Sequence, residues 1–344
     1  MTEQNVSDQP SPQRLPFAAP VARELEAVER LLHDIVPRDI PILSDIQARL
    51  MSGGKRLRPS LLLLSARLFR VLRPQDEAVF KAAAAVETVH LASLLHDDLV
   101  DNSPVRRGEP SIQEQYGLGA ALLAGDYLAA AAYRRLCLQS RTRALTLLAN
   151  AVASMCEAEF TVIASNSGMD RRTYAASAAG KTGALMSAAC EMGAVEAGAD
   201  LEPAQLLGAY GRELGIAFQI ADDVLDIFGS PAVSGKPVGQ DLVSGQPNLV
   251  VILALEADQD GSLRAALESL ETHKPADLEA RAEVIEQMRR LRAGEQAHAI
   301  ARDYANRARG FLSRLPACPA REGLEAATEY VANRSLLGSR RSAR

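Results

Sequence analysis

From Val21 onward, apolar residues recur every three or four positions, the period of a helix with one face turned toward a core. The pattern predicts helices over Val21–Val36 and Ile42–Leu50, then a long one over Phe80–Asp101. Further helices are predicted over Gly119–Leu138, Arg141–Ala164, Arg171–Ala197 and Pro203–Phe228. Shorter ones follow near Leu249–Leu255, Ser262–Leu270, Asp277–Leu291 and Ala297–Leu312. Gly53-Gly54 suits a helix end that turns left-handed, and Pro59 suits the opening turn of the next helix. Asn102–Pro110 and the Gly-, Pro- and Ser-rich stretch Gly229–Asn248 read as loops. No segment alternates apolar and polar residues between turn signals, and no solenoid-length repeat is visible. The expected fold class is all-α, a single large helical bundle over residues 21–335. A polar, proline-containing segment over 1–20 is expected to be disordered, and 336–344 forms a basic tail.

Composition narrows this picture. A chain of 344 residues could hold two domains by length, but no linker divides it. Apolar residues make up 47 %, enough for a sizeable core, and the 4 % of aromatics include no Trp. The net charge of −5 argues against a general nucleic-acid surface. No apolar run approaches the roughly 20 residues needed to cross a bilayer, and the start lacks signal-peptide order. Cys137, Cys156, Cys190 and Cys318 have no metal-type spacing and read as buried free thiols. A cytoplasmic protein is expected.

The chemistry is concentrated in two acidic repeats, Asp97-Asp98-Leu99-Val100-Asp101 and Asp222-Asp223-Val224-Leu225-Asp226. Each ends a long apolar helical segment. On a helix, positions i and i+4 share a face, so Asp97 projects with Asp101, and Asp222 with Asp226. Carboxylates so close repel unless a cation neutralises them. Mg²⁺, which binds through one or two carboxylates plus substrate phosphates, is the natural partner. One such motif would more often be a solvated helix end; two, each preceded by apolar residues, favour a metal–diphosphate site.

Cations accompany the acids. Lys55, Arg56 and Arg58 sit at a glycine-flanked helix start, where backbone N–H groups favour anions. In isolation a solvated basic turn would be the better reading. Arg106 and Arg107 follow the first acidic motif within ten residues, as a bridging polyanion would require; local charge balance is the alternative. His90 lies two helical turns before Asp97, where a ligand role and a core role are evenly balanced. Lys181 and Thr182 interrupt an Ala-rich helix, and a lysine in apolar surroundings calls for an anionic partner. Gln219 shares the face of Asp222, and Lys236 lies on a loop placed to close like a lid.

Together these segments resemble the trans-isoprenyl diphosphate synthases (polyprenyl synthases), most closely the medium- and long-chain members. The resemblance covers nearly the whole chain after about residue 20. It rests on GGKRLRP at Gly53–Pro59, LLHDDLVDNSPVRRG at Leu94–Gly108 and GDYLAA at Gly125–Ala130. GKTGAL at Gly180–Leu185, FQIADDVLDIFG at Phe218–Gly229 and GKPVGQD at Gly235–Asp241 extend it. It implies helices around a deep central cavity, a homodimer, and Mg²⁺ as cofactor, three ions with bound diphosphate. By the same resemblance Asp97, Asp101, Asp222 and Asp226 would ligate Mg²⁺, with Asp98 and Asp223 in support. Arg106, Lys181, Gln219 and Lys236 match positions contacting the allylic diphosphate. Lys55, Arg58, His90 and Arg107 match the isopentenyl diphosphate site, and Thr182 would orient the reacting groups. The implied reaction is Mg²⁺-assisted ionisation of an allylic diphosphate, attack by the isopentenyl double bond, and loss of a proton. No side-chain nucleophile is needed, and none of the usual constellations is present.

Two departures stand out. After Gly245 the family commonly has Lys-x-Thr, whereas this chain has Gln246-Pro247-Asn248. Ser111 and Gln113 stand where Thr and His are usual. In the family, residues one turn before the first acidic motif form the cavity floor. Here Ala92 and Ser93 are small, and Val89 a turn further back is modest. An open floor implies a medium-to-long all-trans product. The alternatives are a geranylgeranyl- or farnesyl-type short-chain synthase, or a weakly active subunit of a heteromeric synthase. A class I terpene cyclase is disfavoured by the scarcity of aromatics. Arg334, Arg340, Arg341 and Arg344 are read as a frayed basic tail.

Overall fold

A computed structural model describes residues 15–37, 39–52, 54–106, 108–138, 142–165, 169–229, 238–244, 246–273 and 277–339. A 3-10 turn, Pro16–Val21, leads into α1 (Ala22–His33), α2 (Pro41–Met51), α3 (Leu57–Arg67) and α4 (Glu77–Val100). A small antiparallel hairpin, β1 (Val105–Arg106) and β2 (Glu109–Pro110), precedes α5 (Ile112–Tyr116), α6 (Leu118–Cys137) and α7 (Thr142–Ala164). Next come α8 (Arg171–Ala178), a π-helical turn at Ala179–Gly183, α9 (Ala184–Glu196) and α10 (Leu201–Phe228). The chain ends with α11 (Gln240–Ser244), α12 (Leu249–Ala257), α13 (Ser262–His273), α14 (Leu278–Arg290), α15 (Ala293–Leu312) and α16 (Pro319–Ser339). The all-α expectation holds.

Two long helices carry the site. α4 is apolar all round, with Ala82 to Val86 fully buried, as a helix at the centre of a bundle must be. It packs on α3, α6 and α9, while α10 packs on α9, α15 and α16. Close approach depends on glycine. A side chain at Gly215 of α10 would come within 2.5 Å of the Gly183 Cα, and one at Gly211 within 2.4 Å of the Met186 carbonyl. Residues of α10 contribute to two apolar clusters, Leu207, Tyr210 and Leu214 to one, Ile220, Val224 and Ile227 to the other.

Several expectations are corrected. The helix expected over Arg171–Ala197 is broken by the π turn, which the Gly180–Gly183 pair already marked. The hairpin is too short for a two-residue period to register in the sequence. Leu15, Phe17 and Ala18, expected to be disordered, are buried, and Phe17 meets Tyr330 of α16 at 5.7 Å between ring centroids. α16 continues to Ser339, so residues 336–339 are helix rather than tail. Only Cys190 is buried; Cys137 and Cys156 are exposed and Cys318 is half-buried. Finally, α4 and α7 are both long and apolar enough to cross a membrane by length and composition. For α4 this reflects its core position, since 72 % of its most apolar window is buried; for α7 the figure is only 17 %.

Candidate active site

Both acidic motifs lie at helix C-termini. Asp97 and Asp98 occupy the last turn of α4 and Asp101 caps it, while Asp222, Asp223 and Asp226 fall in the last two turns of α10. The helix dipole places partial negative charge there, so each carboxylate is disfavoured by roughly 0.3–1 kcal/mol unless a cation compensates. Burial compounds this. It pushes Asp97 above its ordinary range, with Lys181 opposing, and it pushes Asp101 up to about 6, again with Lys181 opposing. Hard oxygen donors whose charge burial disfavours fit a divalent cation. Among the described residues, no three acidic, His or Cys side chains already converge to hold one.

Protein donors stand on these carboxylates instead. Gln246 donates through Nε2 to Asp101 Oδ1. Lys181 Nζ lies 3.9 Å from Asp97 Oδ1 and pairs more closely with Glu159 of α7. Burial lowers the Lys181 pKa, but Asp97 and Glu159 outweigh it and leave the lysine above its usual value. The π turn carries this lysine into a cavity of about 130 Å³ lined by Asp101, Tyr174, Gln219, Asp241 and Gln246. Arg334 Nε bonds Asp222 Oδ1 at 2.7 Å, and its guanidinium stacks 4.6 Å from the Phe218 ring. The arginine read as part of a frayed tail is thus a helical residue seated on the second motif.

The middle aspartates behave differently from the outer ones. Asp98 is only 6 % exposed and takes Arg106 Nη1 on its Oδ1. Its carbonyl accepts from Ser103 N at 2.9 Å and Gln113 Nε2 at 3.1 Å, which ties the hairpin loop to α4. Asp223 is buried. Its Oδ2 accepts from Tyr174 OH at 2.6 Å and Leu249 N at 2.8 Å, its Oδ1 from Gln219 Nε2 at 3.1 Å. Burial holds this carboxyl well above its ordinary pKa. Thr182 Oγ1 donates to Gln219 Oε1 at 2.7 Å, joining the π turn to the same network. Asp226 Oδ2 accepts from Asp241 N at 3.1 Å, and Asn248 Nδ2 bonds Asp241 Oδ2 at 2.9 Å.

Of the expected cations, Lys55 is exposed and donates to Tyr330 OH at 3.0 Å. Arg58 is half-buried, and burial holds its pKa below the usual arginine value, with the charges of Glu87, Asp222 and Asp97 opposing. Its buried Nε has no hydrogen-bond partner among the described residues. His90 is half-buried on α4. Arg107 and Lys236 lie outside the described residues, as does Gly53. Val89 and Ala92 are buried and Ser93 is half-buried one to two turns before Asp97. Sequence reading missed Glu87, Glu159, Tyr174 and Tyr330, all of which enter through tertiary contact alone. Asp241 and Asn248 were within quoted segments but had no role assigned to them.

Comparison with known proteins gives consistent matches. The family model described as polyprenyl synthetase matches residues 40–288. Heptaprenyl diphosphate synthase component 2 of Geobacillus stearothermophilus is 34 % identical over 314 residues, covering 90 % of this chain and 96 % of the relative. A short chain isoprenyl diphosphate synthase of Methanothermobacter thermautotrophicus is 33 % identical over 315 residues, covering 90 % and 94 %. The crystal structure of polyprenyl synthase from Caulobacter crescentus CB15, complexed with calcium and isoprenyl diphosphate, superposes with a TM-score of 0.87. It is 31 % identical and covers 92 % of this chain and 96 % of its own.

Proposed function

The chain belongs to the polyprenyl synthetase family, and from that premise we propose that it condenses isopentenyl diphosphate with an allylic prenyl diphosphate, giving an all-trans polyprenyl diphosphate of medium to long chain. The observation that carries the reading is the cavity that Lys181 enters, where Asp101 of the first motif meets Gln219 and Asp241 beside the second, while Arg334 stands on Asp222. Asp97, Asp101, Asp222 and Asp226 would hold Mg²⁺, three ions with the allylic diphosphate, and the metal would supply charge neutralisation of the departing group. Lys181, Gln219, Arg106 and Lys236 would bind that diphosphate; Lys55, Arg58, His90 and Arg107 would bind the isopentenyl one. The allylic C–O bond breaks with its electron pair leaving on diphosphate. The isopentenyl double bond then supplies the pair for the new C–C bond, and a proton passes to the released diphosphate. Fixed cations aimed at the leaving group are the residues' contribution to rate.

Lys181 and Arg334 offset the charge of Asp97 and Asp222, and Gln246 hydrogen-bonds Asp101, all carboxylates that the metal–diphosphate must engage. Pyrophosphate is therefore expected to raise the melting temperature only with Mg²⁺ present; equal stabilisation in EDTA would count against the metal reading.

Small side chains at Val89, Ala92 and Ser93 support a long product, because each helical turn left open adds about 5.4 Å of depth. Extension assays with labelled isopentenyl diphosphate and geranyl, farnesyl or geranylgeranyl primers are expected to give products of C30 or longer. Ala92→Phe is expected to shift them toward C15–C20. Wild-type product ending at C20 would establish the short-chain alternative.

A cytoplasmic homodimer completes the proposal. α6 and α7 present Leu122, Leu123 (68 % exposed), Phe160 (70 % exposed) and Ile163 to solvent, an apolar surface that a second copy would cover. Light scattering is expected to give twice the chain mass, and Leu123→Glu with Phe160→Glu to give monomer. The Geobacillus relative's name, component 2, raises a heteromeric partner as the second reading; a monomer inactive with every primer would favour it.

A further inference from the structure

The GDYLAA segment begins inside α6 with Gly125, and a glycine in the body of a helix weakens it unless something needs the space. What needs it is the ring of His96, on the last turns of α4. A Cβ at position 125 would stand 2.2 Å from His96 Nε2, 2.6 Å from Cδ2 and 2.9 Å from Cε1, so the edge of the imidazole lies against bare Gly125 backbone. Nε2 is buried there, without a hydrogen-bond partner among the described residues. It stands 3.5 Å from Oδ1 of Asp126, the second residue of the same segment. Ala121 and Leu128, one turn to either side of Gly125, are buried as well.

His96 immediately precedes Asp97, so its seat bears on the first acidic motif. Successive side chains leave a helix about 100° apart, which sends His96 to one side of Asp97 and Asp98 to the other. Asp98 is tied to the hairpin loop through Arg106, Ser103 N and Gln113. His96 is lodged on α6. The end of α4 is thus gripped on both flanks of Asp97, by side chains that meet different elements. We propose that His96, seated in the notch at Gly125, is a positioning residue for the first motif: it fixes the rotation of the last turn of α4, and with it the direction in which Asp97 and Asp101 present their oxygens to the metal–diphosphate. Gly125 is the other half of the device. A methyl group there would evict the ring, because the far end of a side chain with two torsions gives way before backbone does.

The inference rests on the reading of Asp97 as a Mg²⁺ ligand, and the variants separate the two. The extension assay gives kcat, the KM of each substrate and the Mg²⁺ concentration for half-maximal rate; melting in EDTA reports the fold. Asp97→Asn is expected to raise the Mg²⁺ requirement more than about tenfold; an unchanged requirement ends the metal reading itself. Gly125→Ala is expected to raise the Mg²⁺ requirement and lower kcat by about tenfold each, with the isopentenyl diphosphate KM within about twofold and the melting temperature in EDTA unchanged. His96→Ala, which empties the notch, is expected to act alike. Combining His96→Ala with Gly125→Ala puts a methyl group into the vacated space without a clash. The pair is expected to be no worse than either single variant, whereas independent sites would multiply to about a hundredfold. His96→Gln keeps a flat polar end of similar reach and is expected to stay within about threefold of wild type. With Asp97→Asn impaired, a hundredfold loss in the double variant, or a wild-type Mg²⁺ requirement in Gly125→Ala, overturns the inference.

Discussion

Asp222→Asn is expected to reduce kcat by on the order of 10²- to 10³-fold, the range for deleting one preorganised electrostatic contact to a developing charge. Asp98→Asn is expected to reduce it far less. The two residues belong to sequence motifs of the same form, and the structure separates them by what each touches. Asp222 is half-buried and pairs through Oδ1 with the Arg334 guanidinium. Asp98 is buried, with its carboxylate on Arg106 and its backbone carbonyl held by Gln113. An amide at position 98 would preserve shape and leave the Arg106 guanidinium a neutral acceptor. Its effect should appear first in the KM for the allylic substrate, through Arg106. A second consequence distinguishes the two. Asp222→Asn would release Arg334 from its ion pair, so Mg²⁺-dependent pyrophosphate binding should weaken in calorimetry along with kcat. Loss of kcat in Asp98→Asn equal to that in Asp222→Asn, with both proteins folded, would sink the division.

Much of this site was legible in the chain because its chemistry is local. Asp-Asp-x-x-Asp places like charges on one helical face whatever the fold, and two copies demand counter-charge. Apolar periodicity likewise placed α4, α6, α7 and α10 to within a few residues at either end. What the sequence could not show is which helices supply the partners of these charged groups. Glu159, Tyr330 and Arg334 reach the site from α7 and α16, far along the chain from either motif, and no spacing rule links them. The reading of Arg334 failed for a related reason. A basic C-terminus far from any motif looks like a solvated end until α16 is packed against α3 and the 3-10 turn. Gln246 is the converse case. Read as a lost lysine, it proves to be a hydrogen-bond donor to Asp101, so the position still serves the first motif without the charge.

Asp223→Ala is expected to be the most destabilising substitution in either motif, by about 3 kcal/mol or more. Removing the carboxylate would leave Tyr174 OH and Leu249 N, both in buried surroundings, without their acceptor. Each such loss is worth roughly 1–3 kcal/mol. Gln219 would lose its partner as well, and with it the geometry that Thr182 depends on. Asp223→Asn keeps one oxygen and should recover part of the loss, since Tyr174 can still donate to it. Tyr174→Phe, which removes a donor rather than the shared acceptor, should cost less again. Urea unfolding of the three variants is expected to rank them in that order, and a loss within about 1 kcal/mol of wild type for Asp223→Ala would refute the hub. The functional corollary follows from position. Asp222 and Asp226 flank this residue on α10, and their carboxylates can point at one centre only while the helix end beneath them is fixed. Asp223 fixes it by joining α8, the π turn and the start of α12 in one buried network. The middle aspartate of the second motif therefore acts on catalysis through rigidity, whereas its neighbours act through charge.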